Sequence, residues 1–131
     1  MEADAERREF TRFVPRDDTF VALRRVGRLG SIKDISLGGM CCDVYVAFGE
    51  DKAIREETAA PLPMDIFVSG KKFFLINVLS SVAYDMIAPE DRPAYSVSVN
   101  KRRCGFRFDE LSEEQRQHIN HFLEQHTVGT A

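Results

Sequence analysis

The stretch Met40-Cys41-Cys42-Asp43-Val44-Tyr45-Val46-Ala47-Phe48 sets the reading of the fold. In an extended chain successive side chains point to opposite faces. Period two therefore puts Met40, Cys42, Val44, Val46 and Phe48 on one side, and that side is expected to be core. Working back, Leu37-Gly38-Gly39 reads as a turn or bulge. Ser31 to Ile35 and the β-rich, largely alternating Thr19 to Val26 read as strands, with Gly27 and Gly30 punctuating the hairpin between them. Working forward, the charged run from Gly49 to Ala60 is a loop or one short helix. Pro61 and Pro63 introduce a strand from Met64 to Val68, and Ser69-Gly70-Lys71-Lys72 turns. Phe73 to Ile87 forms a long strand bending at Ser80-Ser81, and Pro89 to Pro93 is a polar loop. Ala94 to Val99 is a further strand, Asn100-Lys101-Arg102-Arg103 a turn, and Cys104 to Phe108 the closing strand.

The chain then changes character. Ser112-x-x-Gln115 has the form of a capping box, Glu113 and Glu114 fall in a first turn where the helix dipole favours acids, and Ile119, Phe122 and Leu123 share one face. A helix over 112–126 follows, with 127–131 as a tail. Short strands joined by turns and ended by one amphipathic helix argue for an all-β antiparallel barrel with its mouth closed by the helix. Alternating α/β order is lacking, which disfavours a parallel sheet.

A length of 131 residues fits one domain with a modest core, and 44% hydrophobic with 30% charged residues is ordinary globular composition. The longest apolar run, Phe73 to Ala83, is broken by Asn77, Ser80 and Ser81, so no membrane insertion is expected. Residues 1–6 are acidic and polar, unlike a secretory signal, and are expected to be disordered. A cytoplasmic location follows as an expectation. Three cysteines, two of them adjacent, do not suggest a disulfide framework; Cys41 and Cys42 should point to opposite faces of their strand as ordinary buried or half-buried thiols.

The net charge of −3 conceals an asymmetry. From Arg7 to Lys33 there are eight basic residues against three acids, and from Asp109 onward five acids against one arginine. A local basic patch on an acidic chain suits a small anionic ligand better than a long nucleic acid. The patch contains Arg8-x-x-x-Arg12, and 22 residues beyond Arg12 begins Asp34-x-Ser36-x-x-Gly39. Arginine offers a planar fork of donors that fits phosphate or the O6/N7 edge of guanine, while a carboxylate accepts from guanine's N1 and N2 donors. Ser36 is able to donate to a phosphate oxygen, and Gly39 allows a sharp turn or a close approach. The set suits an anionic guanine nucleotide.

These two motifs, RxxxR and [D/N]xSxxG, resemble those of the PilZ domain, and the resemblance runs from about Arg7 to Phe122. It implies a six-stranded antiparallel split β-barrel with a C-terminal α-helix, over 7–126: an arginine arm at 7–16 ending at Pro15 and either mobile or a short irregular lead-in, a barrel at 17–109, and a helix at 112–126. It also implies cyclic di-GMP as ligand. Arg8 and Arg12 would clamp phosphate and guanine edges, Asp34 and Ser36 would meet a guanine and its neighbouring phosphate, and Gly39 would permit the close turn. Arg7 takes the place where similar proteins use an arginine to favour an intercalated ligand pair, so two messengers per chain are expected. The functional expectation is a receptor that relays the messenger to an unidentified downstream protein as the arm becomes ordered. The alternative is a degenerate PilZ adaptor that binds a protein without nucleotide.

Other features carry less. His118-x-x-His121 lacks a third ligand and reads as a surface pair, so no metal is expected. Lys101-Arg102-Arg103 either extends the basic patch or is a solvated turn. Phe10 and Phe13 read as anchors holding the arm to the barrel. Neither a nucleophile with its base nor a phosphate-cradling glycine loop occurs, so an enzyme is not expected, and neither is a cofactor. A single-strand nucleic-acid binder on a small barrel is disfavoured by the acidic total charge.

Overall fold

The computed structural model describes residues 10–47, 61–70, 74–87 and 99–131. Arg7, Arg8, Phe48, the 49–60 segment, the Pro89–Pro93 loop and most of the strand expected from Ala94 lie outside them. Among the described residues, eight strands and one helix follow in chain order: β1 Phe13–Pro15, β2 Thr19–Leu23, β3 Arg28–Ile35, β4 Gly39–Ala47, β5 Leu62–Val68, β6 Phe74–Ile87, β7 Val99–Glu110, α1 Glu113–Gln125 and β8 Thr127–Thr130. Every described pairing is antiparallel. The order β2-β5-β6-β7-β4-β3 closes through a further β2–β3 pairing, giving a six-stranded barrel.

Its interior is what period two demands. Val21 and Leu23 of β2, Ile32 and Ile35 of β3, and Met40, Cys42 and Val44 of β4 all enter one buried cluster. Residues of β5, β6 and β7 join them, as do Ile119 and Phe122 of α1. Each large apolar side chain buried in this way contributes on the order of 2 kcal/mol. The helix starts where the capping box predicts: Gln115 N–H donates to Ser112 Oγ at 3.0 Å, and Ser112 N–H donates to Gln115 Oε1 at 3.0 Å. The Gln115 amide also donates to Asn77 O at 3.1 Å, which ties the helix start to β6.

Three expectations need correction. Asn100 to Arg103 is no turn; it lies inside β7, paired with Asp43 to Val46 of β4. Its basic side chains fit a strand because acids on neighbouring strands meet them. Arg103 makes a two-point contact with Asp43 at 2.9 and 3.2 Å, and Arg102 Nε reaches Asp85 at 2.6 Å. Similarly, Gly30 does not shape the hairpin. It lies within β3, packed on Val21 and Val44, and the turn itself is Arg24 to Gly27. Third, Phe13–Pro15 is neither mobile arm nor irregular lead-in. Phe13 pairs with Ile35 and with Thr130, Pro15 pairs with Thr127, and the tail at 127–130 is thus a strand. The proline is tolerated in an outlying ribbon beside a register shift, where a missing N–H costs little.

The bend expected at Ser80-Ser81 takes the form of two register shifts in the β6–β7 pairing, at Leu79/Ser80 and at Val82/Tyr84. Further shifts lie between Ile32 and Asp34 in the β3–β4 pairing and between Met64 and Ile66 in the β5–β6 pairing. Such bulges insert one residue and re-aim the side chains beyond it.

Candidate functional site

Strict alternation would send Asp34 to the same side as Ile32, and Tyr84 to the same side as Val82, which is the barrel interior. The bulges reverse both. After its shift Asp34 pairs with Cys41, and after its own shift Tyr84 pairs with Gly105. Cys41 in turn pairs with Gly105, so Asp34, Cys41, Gly105 and Tyr84 form one row across β3, β4, β7 and β6 on the outer face. Two irregularities on separate strands thus bring a carboxylate and a phenol to one line.

The Tyr84 ring lies down over β7. A Cβ on Gly105 would stand 2.2 Å from that ring, closer than any real contact, so the residue is glycine because the tyrosine occupies its side-chain space. From there the hydroxyl donates to Cys41 Sγ at 3.2 Å. Burial pushes the Cys41 thiol pKa up, with the Tyr84 hydrogen bond opposing it in part. Tyr84's own pKa is raised by burial and then by its contact with Cys41. Cys42 and Cys104, deeper in the core, are raised chiefly by burial as well. Thiols in that state are protonated at neutral pH and act as packing groups rather than nucleophiles.

The end of the row near Asp34 is shaped by the Ser36 to Gly39 turn. Ser36 N–H donates to Gly39 O at 2.8 Å, Gly38 N–H donates to Ser36 Oγ at 3.0 Å, and Gly38 O accepts from Phe108 N–H at 2.9 Å. The Ser36 side chain is therefore engaged in building the turn, and the residue is only 7% exposed. Gly39 is required for a different close approach than a ligand's: its Cβ would stand 2.1 Å from the carbonyl oxygen of Phe106 on β7. Phe10 rests over Gly38, in keeping with an anchor.

Together these residues enclose an open cleft of about 670 Å³, a size ordinary for small-molecule sites. Arg12, Asp34, Ser36 and Gly39 all line it. Four of the six residues expected from sequence are thus gathered in one hollow; Arg7 and Arg8 lie outside the described residues. The lining also contains Phe10, Cys41, Tyr84, Gly105 and Arg107, which the motifs did not mark as ligand contacts. Tyr84 carried no period-two signal, because only the bulge puts it outside. Arg107 was findable, being the polar member of Phe106-Arg107-Phe108 and hence outward on its strand.

Lys101-Arg102-Arg103 does not extend the basic patch as free charge. Arg102 and Arg103 are held by Asp85 and Asp43, and Lys33 stands 3.9 Å from the same Asp43. His118 and His121 are exposed on α1, and no group of three or more metal-ligating side chains forms among the described residues. No described helix is long and apolar enough to cross a membrane.

No family model matches the sequence, and no curated protein matches it. Among solved structures, the PilZ domain with c-di-GMP of YcgR from Escherichia coli is similar, with 19% identity, a TM-score of 0.60, and coverage of 91% of this chain and 92% of that one. The closed six-stranded antiparallel barrel, its terminal helix and this likeness agree: the chain has the fold of a PilZ domain.

Proposed function

We propose that the chain is a receptor for cyclic di-GMP and that the outer cleft is its binding site. One observation carries the proposal: Arg12, Asp34, Ser36 and Gly39, drawn from two separate motifs, line a single hollow. The solved structure of similar fold is of a domain with c-di-GMP, which supports the same ligand class.

Each group has a chemical part in this reading. Asp34 accepts from the N1 and N2 donors of a guanine, a pairing that adenine does not offer. The half-exposed ring of Tyr84, at 39%, provides a flat surface on which the same base stacks. Arg12 offers its fork to a phosphate or to the O6/N7 edge. Ser36 and Gly39 act mainly by holding the turn that frames the cleft, since the serine oxygen already accepts a backbone N–H. Arg7 and Arg8 add charge from the preceding segment, and Arg7 favours a second, intercalated ligand. Binding orders the arginine segment, and the altered surface is read by a downstream protein. Because Phe13–Pro15 is already a paired strand, the ordering concerns the residues before Phe13. The ligand must bind the ordered state more tightly than the open one, since equal affinity shifts nothing.

Calorimetric titration tests the proposal. Cyclic di-GMP is expected to bind saturably at two molecules per chain, GTP not to bind, and Asp34→Ala and Arg12→Ala each to weaken binding at least tenfold. A stoichiometry of one removes the role given to Arg7. No heat from folded protein rejects the receptor and leaves the nucleotide-free adaptor, for which capture of a protein partner is the next experiment. Amide exchange that is unchanged around residues 7–12 at saturation rejects the ordering step alone.

A further inference from the structure

We infer that Arg107 is the barrel's own phosphate contact in this cleft, an inference that rests on the reading of the cleft as a cyclic di-GMP site. Arg107 lies on β7 opposite Gly39 and Ser81, and it lines the same hollow as Arg12 and Asp34. Its side chain is 69% exposed. Among the described residues it forms an ion pair with Asp109, with Nε 4.0 Å from Oδ1, too far for a hydrogen bond. The other oxygen of Asp109 accepts from the Ser81 hydroxyl at 2.6 Å. Asp109 thus shares its charge between Ser81 and a long ion pair with Arg107, and that pair takes up none of the guanidinium's hydrogen-bond donors, which stay available to a further anion. This is unlike Arg102 and Arg103 on the same strand, which are held at 2.6 to 3.2 Å by acids.

Position selects phosphate over base. The row from Asp34 to Tyr84 takes a base lying on the tyrosine ring with its donor edge toward the carboxylate. Arg107 stands off that row, two residues along β7 from Gly105 on the same face, a displacement of about 7 Å. It is next to the Ser36 to Gly39 turn rather than beside the ring. A base held along the row directs its sugar and phosphate off the row, and Arg107 meets them there with a two-pronged fork. The barrel thus supplies a cation of its own to the cleft.

The test is titration of cyclic di-GMP into the unsubstituted chain, Arg107→Ala and Arg107→Lys, at several salt concentrations, with cyclic di-AMP as the comparison ligand. Loss of a charge-assisted contact is expected to weaken Arg107→Ala about 10- to 100-fold. Lysine should recover part of that, the salt dependence of binding should become shallower in the alanine variant, and the preference for guanine should remain. Affinity within twofold of the unsubstituted chain overturns the inference while leaving the receptor intact. A loss of guanine preference with unchanged salt dependence overturns it too, by making Arg107 a base contact. Failure of the folded, unsubstituted chain to bind cyclic di-GMP removes the receptor reading and this inference with it.

Discussion

The two sides of the barrel treat their outer faces in opposite ways. On the β2–β5–β6 side, Phe20 and Phe67 are direct cross-strand partners, as are Phe67 and Phe74, and their rings follow one another at 5.8 and 5.9 Å. The β2–β5 pairing runs from Thr19↔Val68 to Leu23↔Met64 without a break, and the β5–β6 pairing shifts once, between Met64 and Ile66. On the β3–β4–β7–β6 side the corresponding surface is hollowed: two glycines stand where side chains would project, and bulges interrupt the pairing on both flanks. A small barrel filled by its own side chains has no room inside for a ligand. A site on such a barrel has to be made on the outside, by removing side chains from one wall and re-aiming others around the gap.

The strongest way to break this contrast is Gly39→Ala. The atom its Cβ would meet, at 2.1 Å, is a backbone oxygen of the neighbouring strand, which has no rotamer to escape into. Separation of β4 from β7 at this point also strains the Phe108 N–H to Gly38 O contact. The expected loss is about 3 kcal/mol or more, at the upper end for overpacking, and is measured by denaturant unfolding. An alanine variant as stable as the parent would show that the strands have slack and that the glycine answers to something else.

Gly105→Ala comes next. Here the obstacle at 2.2 Å is the Tyr84 ring, a side chain able to swing outward. The expected loss of stability is about 1 to 3 kcal/mol, with a separate consequence for the cleft. Once the tyrosine leaves, Cys41 loses its hydrogen bond and its cover. Labelling of Cys41 by a thiol reagent should quicken while Cys42 and Cys104, at 0% exposure, stay protected. Unchanged labelling in a folded variant would mean that Tyr84 does not roof the thiol.

The difference between the two sides also explains what the sequence could show. The barrel was legible because Met40, Cys42 and Val44 keep strict period two, and the helix because Ser112, Gln115 and the Ile119/Phe122 face agree with one another. The motif residues were legible by type. Their convergence depends on bulges after Ile32 and Val82, and an inserted residue leaves no mark in a hydrophobic pattern that reads equally well in either register. Asn100 to Arg103 misled for a related reason. A run of polar and basic residues looks like a turn until Asp43 and Asp85 on the flanking strands are seen to pair with it. The β1–β8 ribbon, joining residues more than a hundred positions apart, had no local signal at all.

The smallest expected effect falls on the covered side, with Phe67→Ala. Phe67 is the middle ring of the row and is only partly buried, so its removal forfeits two ring contacts and some apolar cover but opens no core cavity. A loss of about 1 kcal/mol is expected by denaturant unfolding, well below a core Phe→Ala change. Cyclic di-GMP affinity should stay the same, because β2 and β5 contribute nothing to the cleft lining. A loss near 3 kcal/mol would make this wall part of the core rather than its cover. A change in affinity without one in stability would mean that the covered wall and the hollowed wall communicate through the shared strand β6, which carries Phe74 at one end and Tyr84 toward the other.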